Sequence, residues 1–180
     1  MNAVNLAELA NAAEEMKDKV RDICKDFEQD PANTYFRIYN FLENYNFVHS
    51  IPADTRNSMN DVSLWEHLKL TTAFATCIWL DGGYKSDAIE KYSFFLLSGD
   101  ADKVSNYVSM SSRLPDLHAR STRIKRATME AASSIKETLG PECLIYSGGG
   151  GFLALCPKKE VKNVSAKAKE AFEKVTEGKV

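Results

Sequence analysis

Apolar residues recur every three or four positions through the first half of the chain, then give way to short continuous apolar runs. Leu6, Leu9, Ala13, Met16, Val20, Ile23 and Phe27 are separated by Glu, Lys and Asp, a spacing that predicts an amphipathic helix. Asp30-Pro31 closes it, because a residue before proline is pushed out of the α region. TYFRIYNFLENYNFV (34–48) predicts a second, aromatic-rich helix, whose Tyr35, Phe36, Tyr39, Phe41 and Tyr45 read as core or interface residues. A polar connection, HSIPADTRNSMND, follows. Asp61 or Ser63 is placed to cap a third helix, SLWEHLKLTTAFATCIWL, with Leu64, Leu68, Thr71, Phe74, Ala75 and Ile78 on one face. DGGYKSD ends it.

After residue 90 the pattern changes. YSFFLLS (92–98) is a continuous apolar run, the mark of a strand covered on both faces. A short helix over about 101–111 and a longer one over about 116–139 follow, stopped by Gly140-Pro141. CLIYS and FLALC are two strands joined by four glycines, and an amphipathic helix over about 158–176 closes the chain. The predicted fold is α+β: a helical segment, 1–86, then a βαββα unit, 90–180, which is the ferredoxin-like plan without its last strand. In that plan the first strand is flanked by the third and the fourth. The missing fourth strand would leave 94–97 at an open edge, a hazard that proteins ordinarily cover. The expectation is a fragment, or a partner or second copy that supplies the strand.

Composition narrows the classes. The net charge of −2 argues against coating nucleic acid through overall charge, and 44% hydrophobic content is ample for a core. Cys24, Cys77, Cys143 and Cys156 lie in apolar runs without metal or CxxC spacing, and read as buried free thiols in a reducing compartment. With neither a signal core nor a run of about 20 apolar residues, a soluble cytoplasmic protein without a membrane partner is expected.

The run SGGGGF raises its own question, since a tight hairpin needs only one or two glycines. A dinucleotide fingerprint needs a helix after the glycines, and here a strand follows; a Walker A loop needs GK[ST], which is missing. What remains is a hairpin at the edge of a palm-type sheet, where bare backbone lets a nucleotide approach. Active palms place acidic residues in that turn and after the first strand, to hold the two metal ions of phosphoryl transfer.

Three segments resemble one family. ADTRNSMNDVSLWEHLKLTTAFATCIW is similar to the SLxxHxxxTxxxA helix of the large signature subunit of type III CRISPR effector complexes. FFLLSGDADKVSNYV resembles that subunit's palm opening, a strand leading into GDxxxxxxF/Y. LHARSTRIKRATMEAASSIKETLG followed by CLIYSGGGGFLALCP resembles its R-S helix and Gly-rich hairpin. The matches run in the family's order from residue 53 to about 157.

The resemblance implies a multidomain RNA-guided antiviral effector subunit with an HD nuclease and two palms, the second carrying GGDD, that cuts single-stranded DNA and makes cyclic oligoadenylates from ATP. Gly150 and Gly151 stand where GGDD places its aspartates, so this chain resembles the first, noncatalytic palm. It implies ATP against Ser98, Gly99 and the backbone of Gly148, Gly149 and Gly150, with Arg120 and Ser121 matching the R-S pair. The implied partners are other effector subunits, guide RNA and a second palm. His67 matches the SLxxH histidine, a candidate metal ligand; as a lone histidine on an amphipathic helix it also reads as structural. No His-Asp pair occurs in the chain, so no DNA cleavage is expected.

Asp100 and Asp102, two residues apart at a strand-to-helix junction, could hold one Mg²⁺; the favoured reading is that Asp100 caps the next helix. Arg113, Arg120, Arg123, Lys125 and Arg126 form a basic cluster that reads as a solvated face or as a contact for phosphates of ATP or RNA. The competing reading of the whole chain is a small nucleotidyltransferase or cyclase that assembles its site across a homodimer, with Asp100 and Asp102 as metal ligands.

Overall fold

A computed structural model describes residues 6–54, 61–82 and 93–178. They form two compact units, divided between Lys69 and Leu70. The boundary expected at 86–90 lies outside the described residues.

The first unit is helical. Its elements are α1 (Leu6–Cys24), α2 (Pro31–Glu43), α3 (Asn46–Ser50) and the first turns of α4 (Leu64–Leu80). Asp30 starts α2 by accepting the Asn33 amide at 3.0 Å, with Pro31 in the first turn, where its missing N–H costs nothing. The aromatic stretch expected to be one helix is broken into α2 and α3. The Asn44 side-chain amide donates to the Asn40 carbonyl at 2.8 Å, and Tyr45 turns extended. Ser63 caps α4 reciprocally: its hydroxyl accepts the Glu66 amide at 3.2 Å, and the Glu66 carboxylate accepts the Ser63 amide at 2.9 Å. Those hydrogen bonds hold the Glu66 carboxyl below its ordinary value. Tyr39, Val48 and Trp65 make the small core, with Tyr39 edge-on to Trp65 at 5.1 Å. Of the aromatic stretch, Tyr39 is buried and Tyr35 is exposed.

The second unit takes the rest of α4, then β1 (Phe94–Asp100), α5 (Val104–Ser109), α6 (Leu114–Leu139), β2 (Leu144–Gly148), β3 (Gly151–Pro157) and α7 (Val161–Thr176). The three strands are antiparallel in the order β1-β3-β2, the ferredoxin-like order with no strand beside β1 on its other side among the described residues. Short 3-10 turns at Pro141–Cys143 and Lys158–Glu160 delay β2 and α7 by a few residues relative to the pattern.

The strand covered on both faces is β3, not β1 as the apolar run suggested. Ala154, Leu155, Cys156 and Pro157 are all buried although neighbouring side chains point to opposite faces. One face takes α6 and α7 through Ala131, Ile135, Val164 and Ala168; the other takes α4 through Ala73 and Cys77. Phe94, on the α4 face, meets the Phe74 ring at 5.5 Å. On β1, Phe95 is 46% exposed and Leu96 62% exposed. The apolar run there lies on an edge strand of the three-stranded sheet, not on its central strand.

Polar contacts seat α4 on the sheet. The Thr76 hydroxyl donates to the buried Glu142 carboxylate at 2.5 Å, and Lys159 donates to the Asp81 carbonyl. Cys77, Cys143 and Cys156 are buried in the same core, as expected, but Cys24 at the end of α1 is exposed. The Cys143 thiol is pushed far up by its hydrogen bond to Cys77 and by burial, and burial raises Cys156 to about 11.

The hydrogen bond between Cys77 and Cys143 lowers Cys77 as it raises Cys143, so the pair's effects oppose one another, whereas Cys156 stays protonated in the folded chain where an unfolded cysteine, at about 8.5, ionises. This contribution to stability is intact below about pH 8 and is lost as pH rises toward the folded value. Urea unfolding from about pH 7 to about pH 10 should show falling stability above about pH 8, with a shallower slope in Cys156→Ala. An unchanged slope in that variant would remove Cys156 from the account.

Candidate functional site

The four glycines answer first to the chain's own geometry. Gly149 and Gly150 have φ of 63° and 102°, the left-handed conformations that a two-residue hairpin between twisted strands demands at both central positions. Gly148 and Gly151 close the ladder. A Cβ on Gly151 would lie 3.0 Å from the Gly99 carbonyl oxygen, and one on Gly148 would lie 2.8 Å from the Tyr146 hydroxyl. Only Gly149 faces open space, with nothing within 4 Å of where a Cβ would be.

The register brings the hairpin to the end of β1. Asp100 pairs with Gly151, and Ala101 donates its amide to the Gly150 carbonyl at 3.1 Å. Gly99 lies under Phe152, whose ring would overlap any side chain placed there. Asp100 thus faces a residue without a side chain, and Gly150 cannot readily gain one: a Cβ would be strained by its φ and would lie 3.0 Å from Val104.

Five of the residues singled out in the sequence meet in one cavity of about 370 Å³: Ser98, Gly99, Asp100, Asp102 and Gly150. It is also lined by Phe152, Phe172 and the buried Thr128 of α6, with Lys169 and Glu173 of α7 at its rim. Lys169 and Glu173 form an ion pair one turn apart on α7, at 3.6 Å. These rim residues carried no sequence signal beyond helical spacing, because only the fold turns α7 toward the end of β1.

The other candidates lie elsewhere. Asp100 does not cap α5, whose N-cap is Lys103 in a left-handed conformation without a side-chain bond. Arg120, on α6, donates to the Tyr107 carbonyl at 2.9 Å and stacks over the Tyr107 ring at 5.2 Å, lining a separate cleft. Ser121 is exposed on α6. His67 belongs to the first unit. Among the described residues no three His, Cys, Asp or Glu side chains are grouped to hold a metal ion.

An α+β protein with an incomplete palm-type sheet is the class these features define. No family model and no curated protein sequence matches the chain, but solved structures do. A Csm1–Csm4 cassette in complex with pppApApA is 25% identical with a TM-score of 0.65, over 77% of this chain and 21% of that one. The cassette in complex with AMPPNP is 22% identical with a TM-score of 0.69, over 91% and 23%. Csm1 in T. onnurineus is 22% identical with a TM-score of 0.63, over 88% and 24%. Csm1 is a type III large subunit, so the resemblance read from the motifs holds in three dimensions. The chain spans under a quarter of the length of the matched chains.

The turn yields a direct test. Gly149→Ala and Gly150→Ala should each destabilise the chain by about 1 kcal/mol or more in urea unfolding, because alanine resists positive φ. The cost should be larger at Gly150, where Val104 also stands in the way. Equal stability to the parent chain at both positions would mean that the turn has another shape.

Proposed function

We propose that the chain is the helical segment and noncatalytic first palm of a type III CRISPR large subunit, contributing an ATP-binding surface to oligoadenylate synthesis carried out with a second palm. One observation carries this reading: the hairpin places Gly150 and Gly151, not carboxylates, opposite Asp100. A surface of that kind accepts a nucleotide against bare backbone and lacks the acids that activate a phosphoryl group with metal ions.

The matched cassettes were crystallised with AMPPNP, with one ATP, with cA4 and with pppApApA, which supports adenine nucleotides as the ligand class. In this reading Ser98, Gly99 and the amides of Gly148, Gly149 and Gly150 approach the nucleotide, with Lys169 at the rim of the same cavity as a neighbouring cation. The small side chains at these positions let backbone N–H groups reach phosphate oxygens. Arg120 and Ser121, the R-S pair, extend the proposal along α6. The partners are other effector subunits, as the Csm1–Csm4 assemblies suggest, together with guide RNA and a second palm. No described helix is long and apolar enough to cross a membrane.

Isothermal titration of ATP, with Mg²⁺ and with EDTA, tests the reading. Binding is expected to be weak, with Kd of about 1 mM, equivalent to about 4 kcal/mol, and no oligoadenylate should form with ATP and Mn²⁺. Absence of binding at several millimolar ATP counts against the nucleotide surface. Product that disappears in Asp100→Ala would instead favour the homodimeric cyclase.

A further inference from the structure

Three of the four cysteines lie in one core cluster of the second unit, each fully buried. They are not equivalent. The Cys156 thiol donates to the carbonyl of the next residue, Pro157, at 3.5 Å. Cys77 and Cys143 instead share a hydrogen bond with one another. They come from elements far apart in the sequence: Cys77 lies in α4, and Cys143 in the 3-10 turn that precedes β2.

Two consecutive residues of α4 face two consecutive residues of that turn. The Thr76 hydroxyl donates to the Glu142 carboxylate at 2.5 Å, and beside it Cys77 meets Cys143. The Cys143 sulfur also lies 4.0 Å from the Ala73 carbonyl oxygen, one helical turn before Cys77. The polar contact therefore holds the two backbone segments together at the point where the thiols touch. A disulfide needs sulfur atoms about 2.05 Å apart. Two thiols already in hydrogen-bond contact reach that separation by side-chain rotation and a small shift of the helix.

From this juxtaposition we propose that Cys77 and Cys143 are a reversible oxidation site, at which a peroxide joins them in a disulfide that fastens α4 to the entry of β2. Cys77 attacks one oxygen of hydrogen peroxide, giving a sulfenic acid and one water. The Cys143 sulfur then displaces the hydroxyl from that sulfenic acid, forming the S–S bond and a second water that carries the Cys143 proton. The two sulfurs together lose two electrons, and the peroxide gains them. A dithiol reductant reverses the step by exchange. The shared hydrogen bond favours this order, since it lowers Cys77 and raises Cys143, and the thiolate is the nucleophile.

Neither sulfur is exposed, so the first attack waits on local opening of α4. Thr76 with Glu142, and Lys159 with the Asp81 carbonyl, are the polar contacts that resist it. Once formed, the disulfide closes a loop that contains β1, α5 and α6, a long connection of the kind whose closure stabilises most. The inference is independent of nucleotide binding at the hairpin.

Peroxide titration of the folded chain carrying Cys24→Ser, which removes the exposed thiol, tests it. The intact mass should fall by two hydrogens, peptide mapping should join residues 77 and 143, and dithiothreitol should restore both thiols. The oxidised chain should unfold at a urea midpoint higher by about 1 M. Cys156→Ala should oxidise as the parent does, while Cys77→Ala and Cys143→Ala should form no internal link; circular dichroism shows which variants are folded. Thr76→Val should speed oxidation of the folded chain, and oxidation at the parent's rate would overturn the assignment of access to opening at Thr76. The proposal falls if the folded chain keeps its buried thiols through the titration, or if the link forms only in urea. It falls equally if mapping joins Cys143 to Cys156, or if the product is a sulfinic acid.

Discussion

Every hydrogen bond between strands in this sheet runs through β3. β1 and β2 each pair with it and not with one another, so the position of both depends on seating one seven-residue strand. The sequence FLALCP makes that seat. Ala154 and Cys156 are small enough to let α6 and α7 approach on one face, while Leu155 fills the space toward α4 on the other. A larger residue at 154 would push the helices from the sheet and carry the end of β1 away from the hairpin. The cavity beneath Ser98 to Asp102 is thus a by-product of how closely β3 is packed.

The hairpin shows how one piece of sequence answers to several geometric demands at once. Two of its glycines supply positive φ, and the other two permit close backbone or hydroxyl approach. Nothing about the turn requires a ligand, yet the same bareness leaves open space at Gly149, with Asp100 and Asp102 lining the cavity beside the hairpin. The glycines at 150 and 151 are fixed by the strand register, since a Cβ at either position meets close neighbours.

The order of elements and the open edge were legible in the sequence because strand and helix periods differ sharply after residue 90. The hairpin was legible because glycine runs have few structural meanings. What periodicity could not separate was a strand buried on both faces from an edge strand: FFLLS and FLALC are equally apolar, and only pairing distinguishes them. The break between α2 and α3 escaped because no proline or glycine marks it; an asparagine side chain capping a carbonyl does the work. Lys169 and Glu173 were invisible as site residues for a different reason, since their relevance comes from a long-range crossing of α7 over the sheet. The basic cluster of α6 was visible in the sequence, but that Arg120 is held by the Tyr107 carbonyl and ring is a fact of three dimensions.

The edge position of β1 also divides that strand's amides into two classes. Those turned toward β3 are locked in the ladder, while the alternate set points away from it, where no strand is found among the described residues. Deuterium uptake along residues 94–100 would then rise and fall with a period of two. Any partner that pairs with this edge would erase that rhythm, which makes the strand a built-in reporter of its own completion.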